Sequence, residues 1–445
     1  MTGTSGNHNI LAREQPSTGA ITGRYSDGRP IVTFTANAVD SLPTGSMYYV
    51  MDYGAVGDGV TLDRTAIQTT LDTCGVNGGG TVWLDDLPYA LEAPLQVNYD
   101  NVRIAAGSWG AQLIAQAGFL GSEMIIVNAP ASGFRYGIRM AEFTINGENV
   151  AGVGGVTLTS TYHAMLDHLR VYQCPGTGVF FTGSSAQRGA YTTCLACVVT
   201  NGGAGIAYQT NYAENNTIIG GLVAWYNGAG GVGFKMQDGV NQVFGTVFDE
   251  CDTALWFYFC NGCQVIGAQF TRGVTQFVEF QGATNCELRG CYFDQFVGTP
   301  SGQHMINCSS TCAANLVDGC IVNASTGWPG FLNDNSNAGA QNRYTNNQTQ
   351  GLQILTNASQ AMLRGNTGWN PRGASMTQPA VPASGTALTN TYGPDATVVV
   401  SGGTVTAIAI GGTATGLTAG SFRVPFGQTI TLTYSAAPTW QWWGD

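Results

Sequence analysis

The sequence predicts an all-β chain: a solenoid of stacked parallel coils, lidded by a short N-terminal helix and followed by a small β-domain. Three observations predict it. A set of apolar and glycine positions recurs at intervals of roughly 25 residues through the middle of the chain. A compact strand, turn, helix, glycine and strand segment precedes that repeat. Charged residues make up only 10% of the 445 positions while glycine supplies 63, against roughly 25% charge in ordinary soluble domains.

The opening segment comes first. Tyr53-Gly54-Ala55-Val56-Gly57-Asp58-Gly59 ends a short strand in a glycine-punctuated turn, because glycine reaches backbone angles denied to other residues. A helix is expected near 63–74, since Ala66, Ile67, Leu71 and Cys74 fall at helical spacing. Gly78-Gly79-Gly80 then breaks the helix and releases Thr81–Leu84 as a strand. This order of elements resembles the opening motif of the pectate-lyase-like superfamily, in which a short helix caps a right-handed, single-stranded parallel β-helix. Two places depart from the motif: Leu62-Asp63-Arg64 stands where consecutive aspartates are usual, and Asp85-Asp86-Leu87-Pro88 replaces a Pro-Gly turn.

The repeat follows. One column, mostly glycine, reads His168, Leu195, Gly221, Gly245, Gly267, Gly290 and Gly319. Two residues earlier stand Leu166, Thr193, Ile219, Val243, Val265, Leu288 and Val317, and three residues later Val171, Val198, Ala224, Phe248, Phe270, Phe293 and Val322. Two further columns read Val179, Ile206, Val232, Trp256, Val278 and Phe181, Tyr208, Phe234, Tyr258, Phe280. Within each unit the residues alternate rather than follow a helical period, so each unit is a coil of strands paired with its neighbours about 4.8 Å away. The spacing drifts, which places the variation in the loops. Weaker coils are expected before residue 160, at Ile125–Val127, Phe143–Ile145 and Val156–Leu158, and after residue 324, at Leu352–Leu355 and Met362–Leu363.

Four regions result. Residues 1–46 are polar, with one apolar strand candidate at Ile31–Phe34, and are expected as an extended arm that orders against a partner. Residues 47–375 form the β-helix, and 376–394, with Pro379, Pro382 and Pro394, read as a linker. Residues 395–445 alternate as short strands and end in Trp440-Gln441-Trp442-Trp443. The segment from Thr415 to Trp443 resembles small C-terminal domains of minor tail proteins from phages of actinobacteria.

Composition narrows the partners. Net charge is −11 with no basic run, which argues against nucleic acid. No apolar run reaches the roughly 18 residues of a bilayer span, and no secretory leader stands at the N-terminus, so synthesis in the host cytoplasm without membrane insertion is expected. The 12 cysteines are then expected reduced. Cys194-x-x-Cys197 and Cys260-x-x-Cys263 have zinc-like spacing but no nearby histidine, and small buried side chains are the expected role; neither metal nor cofactor is expected.

Candidate site residues come from outward positions. In Leu255–Phe259 the alternation sends Trp256 and Tyr258 inward and leaves Phe257 and Phe259 outward, with Phe180 and Glu279 in the Phe257 column. These aromatics, together with Trp440, Trp442 and Trp443, read as a trimer interface or a surface for glycan. Asp249 and Asp294 fall in one column two coils apart, about 9.6 Å between backbones, near the upper limit for an inverting acid–base pair; Glu279 is a third acidic candidate. Turn-backbone hydrogen bonding is the plainer role for such aspartates. No polygalacturonase signature occurs, and His8, His163, His168 and His304 form no catalytic triad pattern. The two resemblances together imply a phage virion tail spike or tail fibre protein. It would be a homotrimer, attached to other tail proteins through its arm and directed at a host surface glycan. A spike depolymerase that cleaves the glycan and a head fibre or decoration protein are the alternatives.

Overall fold

The computed structural model describes residues 46–295, 303–324, 327–337, 339–356, 361–367, 378–391 and 395–444. The expected N-terminal arm lies outside the described residues apart from Ser46.

The opening motif folds as its residues dictate. The helix forms over Arg64–Val76 and buries Ile67, Thr70, Leu71 and Cys74. Asp63 does not cap it. Its buried carboxylate instead accepts the Val56 and Gly57 amides at 2.6 and 3.2 Å, fixing the preceding turn. One aspartate therefore serves where the resemblance implies a run of them. Gly79 is required twice over: its φ is 103°, and an added Cβ would stand 2.4 Å from the Asn101 carbonyl oxygen. Gln68 exchanges hydrogen bonds with the Gln96 backbone, donating to its oxygen at 2.9 Å and accepting its amide at 2.8 Å. Gln96 sits on Leu95–Val97, the terminal strand of its sheet. The helix thus satisfies an edge that would otherwise pair with another chain.

Below the lid, parallel strands build three long sheets of 13, 10 and 11 strands. The first runs from Met47–Tyr49 to Met362–Arg364, the second from Pro88–Leu91 to Ile321–Ala324, and the third from Leu95–Val97 to Ile354–Thr356. A fourth, smaller sheet joins Arg135–Tyr136, Thr161–Tyr162, Gly189–Ala190 and Ala213–Glu214. Val243, Val265 and Leu288 form one buried file in the first sheet, continued by Val317 and Tyr344. Inside the shaft the rings of Phe248, Phe270 and Phe293 stack at 5.5 and 4.9 Å, and Phe257 lies on Phe280 at 4.5 Å. Each such pair contributes roughly 0.5–1.5 kcal/mol beyond area burial.

The register corrects several expected columns. The first-sheet file reads Leu166, Cys194, Ile218 and Val243, so Thr193 and Ile219 are not in it. The second reads Val171, Val199, Val223 and Phe248 in place of Val198 and Ala224. In the third, Val179 faces Tyr208, Phe234, Leu255 and Val278, while Phe181 faces Thr210, Met236, Phe257 and Phe280. In the first two sheets the slip comes from the glycine column, whose true corner residues are Ala196 and Gly220 rather than Leu195 and Gly221. In the third the cause is the corner loop, which is one residue shorter from Phe248 to Leu255 than from Phe270 to Val278, so a fixed offset from glycine slips. A slip of one residue turns every side chain to the other face.

The corner between the first and second sheets is left-handed in successive coils. Glu142, His168, Ala196, Gly220, Gly245, Gly267, Gly290, Gly319 and Asn346 have φ between 49 and 64°. Each amide donates to the next coil, as Gly245 to Ile266 at 3.0 Å and Gly267 to Arg289 at 2.9 Å. The expected glycine column is this one, displaced by a residue at Leu195 and Gly221.

A polar ladder runs inside the corner before the first sheet. Asn216 accepts the Thr192 amide at 3.1 Å and Asn241 that of Asn216 at 3.2 Å. Cys263 Sγ then accepts from Asn241 at 3.4 Å, and Asn315 and Asn342 accept from Cys286 and Asn315, each at 2.9 Å. Cys263 and Cys286 thus occupy rungs of an asparagine ladder. All 12 cysteines are buried and free. No helix of the described residues is long and apolar enough to cross a membrane.

The C-terminal β-domain has two antiparallel sheets around its own core, which includes Val398, Ile408, Val424, Ile430 and Leu432. The stretch expected as a linker joins this domain from Gln378 onward. Ala387–Thr389 pairs with Thr429–Thr431, and the Tyr434 hydroxyl donates to the Pro382 carbonyl at 2.7 Å.

Candidate functional site

The third sheet carries the longest strands of the shaft, and their outward residues assemble one continuous face. Phe180, Gln209, Lys235, Trp256, Glu279 and Asn307 form a single file across successive coils. Beside it run Thr182, Asn211 and, further along, Gln237, Tyr258 and Gln281. Alternation within each strand aims these residues out while Met236, Phe257 and Phe280 face in.

Phe257 is therefore corrected: it is fully buried in the Phe280 stack, and Trp256 and Tyr258 are the outward, half-buried pair. Phe180 is outward, but it shares its file with Trp256 and Glu279 rather than with Phe257. Phe259 is outward as expected, 53% exposed at a left-handed corner. Anchoring the alternation on Phe280 rather than counting from the glycine column identifies this face from the sequence.

Its chemistry is amphipathic. The Lys235 ammonium lies 4.5 Å from the Trp256 ring centroid and 4.3 Å from that of Tyr258, a double cation–π contact. Trp256 and Tyr258 meet edge to face at 4.9 Å, and Tyr258 meets Phe259 at 4.8 Å. Trp256 Nε1 donates to Gln281 at 3.2 Å. Gln276 donates to the Glu279 carboxylate at 3.0 Å and accepts from Asn307 at 2.8 Å. Burial pushes the Glu279 carboxyl above its ordinary range and the Lys235 ammonium below its own. The face thus offers flat rings, fixed amides and one acid whose charge is disfavoured by burial.

The Asp249 and Asp294 pair lies on the second sheet. Thr271 pairs with both, so the two aspartates share a file two coils apart as expected. Asp249 is fully engaged: Thr271 donates to it at 2.7 Å, and the Arg272 guanidinium grips both oxygens, with Nε at 2.8 Å and Nη2 on Oδ2. Arg272 also pairs with Glu250 at 2.6 Å. Burial raises the Asp294 carboxyl, and Asn323 donates to it at 3.4 Å. Thr271 fills the space between them. The base that inversion needs is held by Arg272, and Glu279 belongs to a different sheet.

The terminal tryptophans divide. Trp440 and Trp442 are buried in the β-domain core, meeting edge to face at 5.4 Å, and Trp443 is exposed. Trp440 Nε1 donates to the Pro379 carbonyl at 2.8 Å. Of the three, Trp443 faces solvent.

The thiols of Cys260, Cys263 and Cys286 lie within 4.8 Å of one another in the shaft interior. They form the described group with a soft-metal donor set. Each is engaged: Cys263 Sγ donates to the Gly239 carbonyl at 3.2 Å, and Cys260 Sγ lies 3.6 Å from Cys286 Sγ. The ladder explains the placement of Cys263 and Cys286.

No protein-family model matches the chain. A 73-residue segment is 40% identical to mannuronan C5-epimerase AlgE6 of Azotobacter vinelandii, spanning 15% of this chain and 8% of that protein. The chain thus aligns with less than a tenth of that curated relative's length. Among solved structures, ORF18 of Geobacillus virus E2 superposes with a TM-score of 0.55 at 17% identity, over 87% of this chain and 76% of that one. A double mutant of the tailspike protein of E. coli bacteriophage HK620 gives a TM-score of 0.60 at 10% identity, over 89% and 92% of the two chains. The fold that they share is a parallel β-helix. At these identities the likeness establishes the β-helix shaft, and function rests on the residues that this chain places on it.

Proposed function

We propose that the chain is a phage virion tail spike or tail fibre (minor tail) protein, a homotrimer that holds a host surface glycan along the third sheet's outer face without cleaving it. The observation that carries this reading is the file Phe180, Gln209, Lys235, Trp256, Glu279 and Asn307. Pyranose rings present apolar CH faces rimmed by hydroxyls. Rings beside fixed glutamine and asparagine amides match both parts. Three further observations support it: a tailspike shares the shaft fold, the surface carries few charges, and the C-terminal segment resembles phage minor tail domains. Retention over cleavage follows from the carboxylates, since Asp249 is bound by Arg272 and Glu279 has no acidic partner on its face among the described residues.

The test uses the full chain with purified glycan of the phage host. Binding is expected without release of reducing ends, and Trp256→Ala is expected to weaken it at least tenfold. Reducing ends from the wild type, lost in Glu279→Gln, would establish the depolymerase instead. Immunogold labelling is expected on the virion tail, and labelling of the head would establish the decoration protein. Native mass measurement is expected to give three chains.

A further inference from the structure

The fourth sheet carries an aromatic cluster that the third-sheet face does not include. Its two-residue strands place Tyr136 opposite Tyr162, and Tyr162 opposite Ala190. The Phe134 and Tyr162 rings meet at 4.4 Å, Tyr136 and Tyr162 at 6.0 Å, and Tyr162 and Tyr191 at 5.9 Å. His163 stacks on Tyr191 at 5.2 Å with the planes 11° apart. Arg188 lies over the Tyr212 ring at 5.7 Å and pairs with Glu214 at 3.8 Å. Tyr136, Tyr191 and Tyr212 are 45, 49 and 37% exposed.

Part of this cluster stands on left-handed backbone, as the exposed rings of Trp225 and Phe259 also do. His163 and Tyr191 have φ of 56 and 58°. Their amides make the same coil-to-coil bond as Asn215, Gly262 and Asn285 further along the shaft. Asn and Gly suit a left-handed corner and His is tolerated there, whereas Tyr is not. At Tyr191 the strain is offset within the chain by contacts with His163 and Tyr162, yet half of the ring is left exposed.

We propose that this cluster is a second carbohydrate site, which takes a neutral hexose oligosaccharide by stacking a ring face on the paired His163 and Tyr191. This inference rests on the reading of the chain as a glycan-holding spike. The phenol hydroxyls of Tyr136 and Tyr162 and the Arg188–Glu214 pair then meet the sugar hydroxyls. The pairing of that charge leaves nothing to select an anionic sugar. A second copy of the chain fits less well. The three exposed phenols offer roughly 200–300 Å², at about 150–250 Å² for a full aromatic side chain, against about 800 Å² per partner in a stable interface.

The test is calorimetric titration of the full chain with maltohexaose, laminarihexaose and cellohexaose, beside the host glycan. Wild type is expected to bind at least one of these hexaoses. Tyr191→Asn, which matches Asn215 and Asn285, is expected to fold normally and to bind that hexaose at least tenfold more weakly, as is Tyr136→Ala. Trp256→Ala is expected to leave this binding unchanged. Binding lost in Trp256→Ala but kept in both tyrosine variants overturns this site and leaves the proposed function standing. No hexaose bound while host glycan is bound overturns it likewise, and no glycan bound at all removes both. An oligomer that dissociates in Tyr191→Asn with hexaose binding intact shows a second copy as the occupant and overturns the site.

Discussion

Two left-handed corners recur down the shaft, and they are filled differently. Between the first and second sheets the earlier coils carry Glu142, His168 and Ala196, but from Gly220 through Gly245, Gly267, Gly290 and Gly319 a φ near 60° is met with the residue that adopts it at no steric cost. Before the first sheet, the same demand falls on His163, Tyr191, Asn215, Gly262, Asn285 and Ala314. At Gly220, Gly245, Gly267 and Gly290 an added Cβ would meet nothing within 4 Å, so glycine is there for its backbone alone. At Tyr191 the backbone bears a cost and the ring is half exposed. The comparison separates a corner that serves the fold from one that serves the surface.

The largest effect tests the interior on which both corners rest. Phe270→Ala opens the stack between Phe248 and Phe293 and is expected to destabilise the shaft by about 3–5 kcal/mol, read as a drop in the denaturant midpoint. Gly267→Ala breaks the first corner. With open space around the new Cβ, the loss is backbone strain alone, about 1–3 kcal/mol, and the crystal structure of the variant should show no displaced neighbours. Tyr191→Asn sharpens the contrast by moving the other way, with an expected gain of up to about 1 kcal/mol; a loss would mean that the ring contacts with His163 and Tyr162 outweigh the strain.

The smallest effect depends on pH. Burial raises the Glu279 carboxyl above 4.5, so its charged form opposes folding. The wild type has this group's full stability below 4.5 and loses part of it as pH rises through the raised value. Glu279→Gln should therefore raise the thermal midpoint at neutral pH, and the difference should vanish in acid. An equal gain at every pH would remove burial of the charge as the cause.

The residues Gly54 to Leu84, the recurrent glycines and the alternation are local signals, and they determined the lid, the coils and the file of Val243, Val265 and Leu288. Cys263 shows how far such signals reach: its spacing from Cys260 pointed to small buried side chains, but the ladder that uses Cys263 and Cys286 as rungs joins residues more than twenty positions apart. Which ring faces outward was decided by tertiary structure. Phe257 and Trp256 are neighbours, and either satisfies the strand; only the length of the loop from Phe248 to Leu255 sets the parity that buries one and exposes the other. The same holds for Trp440 and Trp442, turned inward by partners at Pro379 and Gln378. The aromatic cluster of Tyr136, Tyr162 and Tyr191 has no sequence signature at all, because its members come from three different coils. A sequence by itself determines what repeats at close range; the closure of each coil determines which side chains meet, because corner length varies while strand pairing does not.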